Sequence, residues 1–216
     1  MKSMLKEAAI LFAITLISGC LLGLVYEVTK EPIATAQEKA KQEAYREVFP
    51  DAAEFSECAD ISSGLAVQEI ESSYQTTIDE VMAAKDGSGN SLGYVITVTN
   101  HEGYGGDIQF SMGIQNDGTL NGISILSISE TAGLGMKADP VLKDQFPGRN
   151  VEQFTYTKTG AASDDQIDAI SGATITTNAV TDGVNAGLAY FQAIQENARI
   201  GVQLPEDPEE GGSGNE

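Results

Sequence analysis

Residues 8–26 read AAILFAITLISGCLLGLVY, nineteen positions without a charge. A helix of that length would be about 28 Å long, close to the thickness of the hydrocarbon core of a bilayer. The next pattern, PIATAQEKAKQEAYREV at residues 32–48, is rich in strong helix formers, with Pro32 suited to a first helical turn. This stretch is expected to prolong the anchor as a stalk or to rest on the following domain, and Phe49-Pro50-Asp51 ends it. Residues 51–66 look irregular. Beyond them, strands are expected at 67–74, 81–84, 91–99, 107–115 and 122–129. Asp86-Gly87-Ser88-Gly89-Asn90 and Asn116-Asp117-Gly118 supply turn chemistry between them, the second marking the clearest hairpin. Residues 138–145 read as a short helix and 154–157 as a strand. Residues 176–196 space Val180, Val184, Leu188, Phe191 and Ile194 three or four apart, one face of an amphipathic helix. The expected fold class is α+β: a single N-terminal transmembrane helix, then a mostly antiparallel sheet with flanking helices. The expected divisions are an N-terminal arm at 1–7, the anchor at 8–26, a helical stalk at 27–50, one folded domain at 51–200 and a tail at 201–216.

Charge narrows the function. With 32 acidic and 12 basic side chains the formal charge is −20, a surface that repels nucleic acid. The absence of tryptophan also argues against base stacking. Glu206, Asp207, Glu209, Glu210 and Glu216 crowd the last residues with Pro205, Pro208 and a Gly-Gly-Ser-Gly run, the composition of a solvated, disordered end. Cys20 lies inside the apolar run and Cys58 far outside it, so no disulfide between them is expected. No Cys/His cluster has metal-ligand spacing, and redox chemistry would need a different cofactor. His101, the sole histidine, sits in a polar loop and reads as solvated.

Lys2 and Lys6 precede the apolar run, whereas Glu27, Glu31 and much acidic sequence follow it. The positive-inside bias puts the N-terminus in the cytoplasm and the main domain outside the cytoplasmic membrane. Ile17-Ser18-Gly19-Cys20 is similar to a lipobox, but Leu21-Leu22-Gly23-Leu24-Val25-Tyr26 continues the apolar run where a mature lipoprotein turns polar. A retained single-pass anchor is the expectation.

Small and hydroxyl residues cluster at Asp168-Ala169-Ile170-Ser171-Gly172-Ala173-Thr174, where the last helix should begin. Two readings follow from the residues alone. One is a plain helix start, with Ser171 or Thr174 as cap and Gly172 easing the turn. The other is an anion site, with the free amides and the positive end of the helix dipole facing a phosphate that Gly172 and Ala173 let approach.

The segment resembles the flavinylation motif of the FMN-binding domain family: Asp, two variable residues, Ser or Thr, Gly, Ala, then a modified Thr or Ser. The resemblance implies that a flavin transferase, using FAD, joins FMN through its phosphate to Thr174. Thr176 and Thr177 are out of register as acceptors, and Thr177 is counted with the surrounding cofactor-binding residues. Asp168 occupies the position the family needs for modification, whether by binding metal or by shaping the loop. Glu130-Thr131-Ala132-Gly133-Leu134-Gly135-Met136-Lys137 is similar to the family's Glu-Thr-Pro-Gly-Leu-Gly loop, with Ala132 where Pro is usual. It implies a loop near the flavin, in which Gly133 and Gly135 permit close backbone approach and Thr131 and Lys137 donate hydrogen bonds. Lys137, if near the ring, would ease formation of an anionic flavin. Gly103-Tyr104-Gly105-Gly106 resembles a third family segment, with Tyr104 either beside the ring or an ordinary loop tyrosine. The length and single anchor resemble the G subunits of Rnf complexes, which pass electrons between ferredoxin and NAD, coupled to sodium or proton movement. Partners would then be the other Rnf subunits. The C subunits of sodium-translocating NADH:quinone oxidoreductases and a stand-alone anchored flavin carrier are the alternatives. No catalytic acid–base residue and no metal ligand are expected.

Overall fold

The computed structural model describes residues 2–58 and 65–199. Its first element, α1 (Lys2–Val48), is one continuous helix with Pro32 inside it. Pro32 therefore does not open a new helix: the missing N–H costs one ladder bond, and strong helix formers on both sides carry the helix through. The chain divides into two units, residues 1–42 and residues 43–216. In the first, one helix is long and apolar enough to cross a membrane, and its large apolar side chains are exposed.

In the second unit the chain runs β1 (Glu54–Glu57), α2 (Leu65–Tyr74), β2 (Thr76–Lys85), β3 (Ser91–Asn100), β4 (Ile108–Gln115) and β5 (Leu120–Ile128). It continues through α3 (Ala138–Leu142), β6 (Thr155–Thr157), β7 (Gln166–Asp168) and α4 (Thr174–Arg199). Short 3-10 turns at Gly135–Lys137 and Lys143–Gln145 flank α3. Strands β1 to β5 form one antiparallel sheet in sequence order, and β6 and β7 pair in parallel beside it. The expected α+β class and antiparallel sheet hold. The β2–β3 turn is closed by the Asp86 carboxylate, which accepts the Ser88 and Asn90 amides. The β4–β5 hairpin turns at Gly118, with φ +89, and Asp117 accepts the Thr119 amide.

Two further expectations are corrected. Residues 67–74 form a helix, not a strand: Val67, Ile70 and Tyr74 meet the core at three- and four-residue spacing, whereas strict alternation would have put Val67 with Glu69 and Glu71. Gln75, with φ +48, ends it in a left-handed conformation. Residues 51–66 are not wholly irregular, because Glu54–Glu57 pairs with the far end of β2 as an edge strand. The expected acidic tail lies outside the described residues.

Strand β3 is buried on both faces. Ile96 and Val98 belong to the main core with Phe110, Met112 and the apolar face of α4, including Val180, Val184 and Leu188. Val95 faces the other side, where Tyr45, Val48 and Phe49 cover it together with Ala84. The last turn of α1 thus belongs to the core of the second unit. Helix α4 lies across β2, β3 and β4 and contacts α2. The pairing of Ile108 with Ile128 brings the entry to β4 beside the exit from β5.

Candidate functional site

At that edge of the sheet, three loops meet the start of α4. The first is the segment around Tyr104, before β4. It must be glycine-rich: a side-chain carbon at Gly105 would stand 2.1 Å from the Ser129 carbonyl oxygen, a collision of backbone with no room to yield. The second follows β5. Glu130 is buried to 9% exposure and accepts the Gly105 amide at 3.3 Å. The Thr131 carbonyl then accepts from both Leu134 and Met136, closing a turn around Gly133. Ala132, where the resembled loop carries proline, leaves this turn intact.

The third loop leads into α4. The Ala173 amide donates to the Ile170 carbonyl, and Gly172 sits third in this four-residue turn with φ +80, a conformation that favours glycine. The Thr177 amide bonds the Ala173 carbonyl, so the helix ladder begins there and α4 starts at Thr174, two residues earlier than its apolar face indicated. The amides of Thr174, Ile175 and Thr176 consequently lack partners in the helix, and no acceptor among the described residues bonds them. The Thr177 hydroxyl accepts the Ile170 amide at 3.1 Å and donates to the Ala173 carbonyl at 2.9 Å. Fully buried, it holds the turn from behind. The leucine of the second loop reaches this turn: a side-chain carbon at Gly172 would lie 3.2 Å from Leu134 Cδ2.

Together these loops enclose a cleft of about 500 Å³, lined by Tyr104, Glu130, Thr131, Leu134, Gly135 and residues 172–176. That volume is ample for a small-molecule cofactor. Of the residues singled out from the sequence, Tyr104, Glu130, Thr131, Leu134, Gly135, Gly172, Ala173 and Thr174 line it. Ser171, Gly133, Lys137, Asp168 and Thr177 do not. Lys137 is exposed at the end of a 3-10 turn. Asp168 is pinned by Gln145, whose amide group bonds both its N–H and its carbonyl, and its carboxylate accepts the Ala161 amide at 2.7 Å. It therefore shapes the loop between β6 and β7. Among the described residues no group of acids, cysteines or histidines is arranged to hold a metal.

The sequence reading missed Ile175 and Met136. With Tyr104 and Leu134 they are the exposed large hydrophobic side chains outside α1 among the described residues, and all four lie on the loops, or on the first turn of α4, that surround the cleft. Their signal was available: Ile175 is an apolar residue in the first turn of α4, off its buried face. A second cleft, of about 390 Å³, is lined by Thr174 and Ile175 from the other side, with Glu102, Tyr156 and Asn178. Each cleft carries one carboxylate in its lining, Glu130 in the first and Glu102 in the second. Burial, and then the charge of Glu102, push the nearby Asp182 carboxyl above its usual range despite the Asn178 hydrogen bond. His101, expected to be solvated, is exposed and bonded to Thr77 and Asp107.

The chain is 33% identical over 197 residues to the G subunit of the Na(+)-translocating ferredoxin:NAD(+) oxidoreductase complex of Acetobacterium woodii, covering 90% of this chain and 95% of that one. It belongs to the RnfG family. The G subunit of the ion-translocating oxidoreductase complex of Methanosarcina acetivorans is 32% identical, over 89% of this chain and 96% of its own. Residues 1–48 of this family member match the RnfG N-terminal region, and residues 103–189 match the FMN-binding domain. The second match contains all three loops, and it makes FMN the cofactor of the domain. The apolar helix and the family together make the chain a membrane protein. Among solved structures, NqrC of Shewanella oneidensis aligns at 20% identity and a TM-score of 0.45, over 54% of this chain and 60% of that one.

The residues fit the group. Three unpaired amides at the start of α4 suit a phosphoryl group, as does the positive end of the helix dipole. The apolar side chains of Leu134, Ile175 and Tyr104 offer surface to a ring system.

Proposed function

We propose that this chain is the electron-relay flavoprotein subunit of an ion-translocating ferredoxin:NAD oxidoreductase of the Rnf type, with FMN held as a phosphodiester on Thr174. The observation that carries the attachment is the position of one hydroxyl. Thr174 is the first residue of α4, half-buried, and lines the cleft beside the unpaired amides. Thr176 and Thr177 are buried, and the Thr177 hydroxyl is already bonded at both ends. In maturation the Thr174 oxygen bonds to the FMN phosphorus of FAD, the pyrophosphate bond breaks, AMP leaves, and the hydroxyl proton passes to a base of the flavin transferase. Once made, the diester keeps one negative charge, which the amides of Thr174, Ile175 and Thr176 stabilise.

Bound FMN supplies one- and two-electron chemistry, and the protein supplies position and electrostatics. The tether prevents dissociation and raises the local concentration of cofactor at its partners. Gly172 and Ala173 let the phosphoryl approach, Ser171 and Thr177 shape the turn, and Asp168 fixes the loop that presents the motif to the transferase. Thr131, Leu134, Gly135 and Tyr104 border the flavin, Gly133 shapes the turn that carries two of them, and Lys137 follows, exposed, on the same segment. Residues 8–26 form the single span, with residues 1–7 cytoplasmic, a stalk from residue 27, and the flavin domain, whose core takes in Tyr45, Val48 and Phe49, outside the membrane. Electron donor and acceptor are other subunits of the complex.

The test uses a host that contains the transferase. After denaturation in acid, yellow flavin should remain with the wild-type chain and be absent from Thr174→Val. A labelled Thr174→Val chain would move the bond elsewhere.

A further inference from the structure

We infer that the Glu130 carboxylate is a built acceptor for a hydroxyl of the ribityl chain of FMN, and so a positioning residue for the flavin; this rests on Thr174 as the attachment point. Glu130 follows β5 and is only 9% exposed, with its side chain in the wall of the cleft. Oε1 accepts the Gly105 amide at 3.3 Å, a long bond. Oε2 has no protein partner among the described residues. No fully buried side-chain oxygen or nitrogen there is without one, so the small exposed area of this carboxylate opens on the cleft. A carboxylate so far removed from water needs donors. The protein provides one, and whatever fills the cleft, solvent or cofactor, provides the other.

The chemistry of FMN selects which donor. Its phosphoryl oxygens and ring carbonyls only accept, leaving the ribityl hydroxyls and the ring imide. Position decides between these two. A side-chain carbon at Gly135 would stand 2.8 Å from Glu130 Oε2 and 2.6 Å from the Thr176 hydroxyl, so the two residues flank the same bare backbone. Thr176 belongs to the first turn of α4, whose amides face the phosphoryl. The part of FMN adjoining the phosphoryl is the ribityl chain, whereas the imide lies at the far end of the ring. Hydroxyls therefore meet Glu130. An acceptor-only group here also repels the phosphoryl and directs it to the amides. The neighbouring glycines follow from the same packing: a side-chain carbon at Gly103 would stand 2.9 Å from Oε1, and one at Gly135 2.7 Å from Glu130 Cβ.

The experiment is a double cycle on the full, detergent-solubilised chain, made with and without the transferase, for wild type, Glu130→Gln and Glu130→Met. Melting temperature and the visible circular dichroism of the flavin are measured, with loading read after denaturation. The methionine fills the volume without an acceptor, while the glutamine oxygen still accepts. Flavinylation should raise the melting temperature of wild type and Glu130→Gln alike, and Glu130→Met should lose at least half of that rise and of the dichroism. Equal rises and equal dichroism in all three would overturn the assignment, Glu130 then serving only the Gly105 loop. A wild-type chain free of flavin after denaturation would instead overturn the Thr174 reading, and this inference with it.

Discussion

Thr177 separates the support of the site from its contact surface. Its hydroxyl satisfies the Ile170 amide and the Ala173 carbonyl, both buried in the turn that presents Thr174. Valine has the same shape without the hydroxyl, so Thr177→Val strands a buried N–H, at a cost of about 1–3 kcal/mol. Urea denaturation should show that loss in the flavin-free chain, with an unchanged slope. If stability falls only in the flavinylated protein, the hydroxyl acts on the cofactor instead. The residue pattern Asp-x-x-Ser-Gly-Ala-Thr could be matched to a motif by sequence alone, but the division of labour within it could not. Thr174, Thr176 and Thr177 look equivalent as letters. They differ because the ladder starts at Ala173, which leaves Thr174 half-exposed at the cleft, tucks Thr176 into its wall against Gly135 and buries Thr177 behind the turn.

At the level of elements, the last turn of α1 is held to the sheet by a polar bracket as well as by Tyr45, Val48 and Phe49. The Glu47 carboxylate takes hydrogen bonds from Ser124 on β5 and from Lys143 after α3, and Asn121 donates to the Val48 carbonyl at 2.9 Å. Burial opposes the Glu47 charge, but the Lys143 and Ser124 hydrogen bonds and the Lys143 charge outweigh it and hold the carboxyl below its usual range. A carboxyl lowered by folding contributes stability above its unfolded pKa and loses it as pH falls through the folded value. Glu47→Gln should therefore lower the denaturant midpoint at neutral pH. The gap from wild type should close below about pH 4, where the unfolded carboxyl also protonates. A gap that persists unchanged into acid would assign the effect to packing. Elements differed in how plainly they could be read. The β4–β5 hairpin was evident from its Asn-Asp-Gly turn, and α4 from its apolar spacing. Strand β1 was not, because it is a four-residue edge strand whose half-buried positions, Phe55 and Ser56, are adjacent and give no alternation to detect. Helix α2 was mistaken for a strand because Val67, Ile70 and Tyr74 are residues that favour strands, while their spacing is helical and the core they meet is remote in sequence.

On the scale of the whole molecule, an anchor unit and a folded unit answer separate demands. The first is an apolar helix with exposed leucine, isoleucine and phenylalanine side chains, which only a membrane or a partner can cover. The second carries the α+β core and, among the described residues, gathers its exposed large apolar side chains around one cleft, where three sequence-distant glycine-containing loops converge on the start of α4. The family relationship covers both units and gives the chain its place among the RnfG proteins. Everything proposed for electron relay then depends on whether the flavin is bound to the chain. The most direct measurement is tandem mass spectrometry of peptides from native membranes. The peptide spanning residues 168–180 should carry the mass of FMN less one water, with fragments placing it on Thr174. Finding that peptide unmodified, or the added mass on Thr176 or Thr177, would contradict the account.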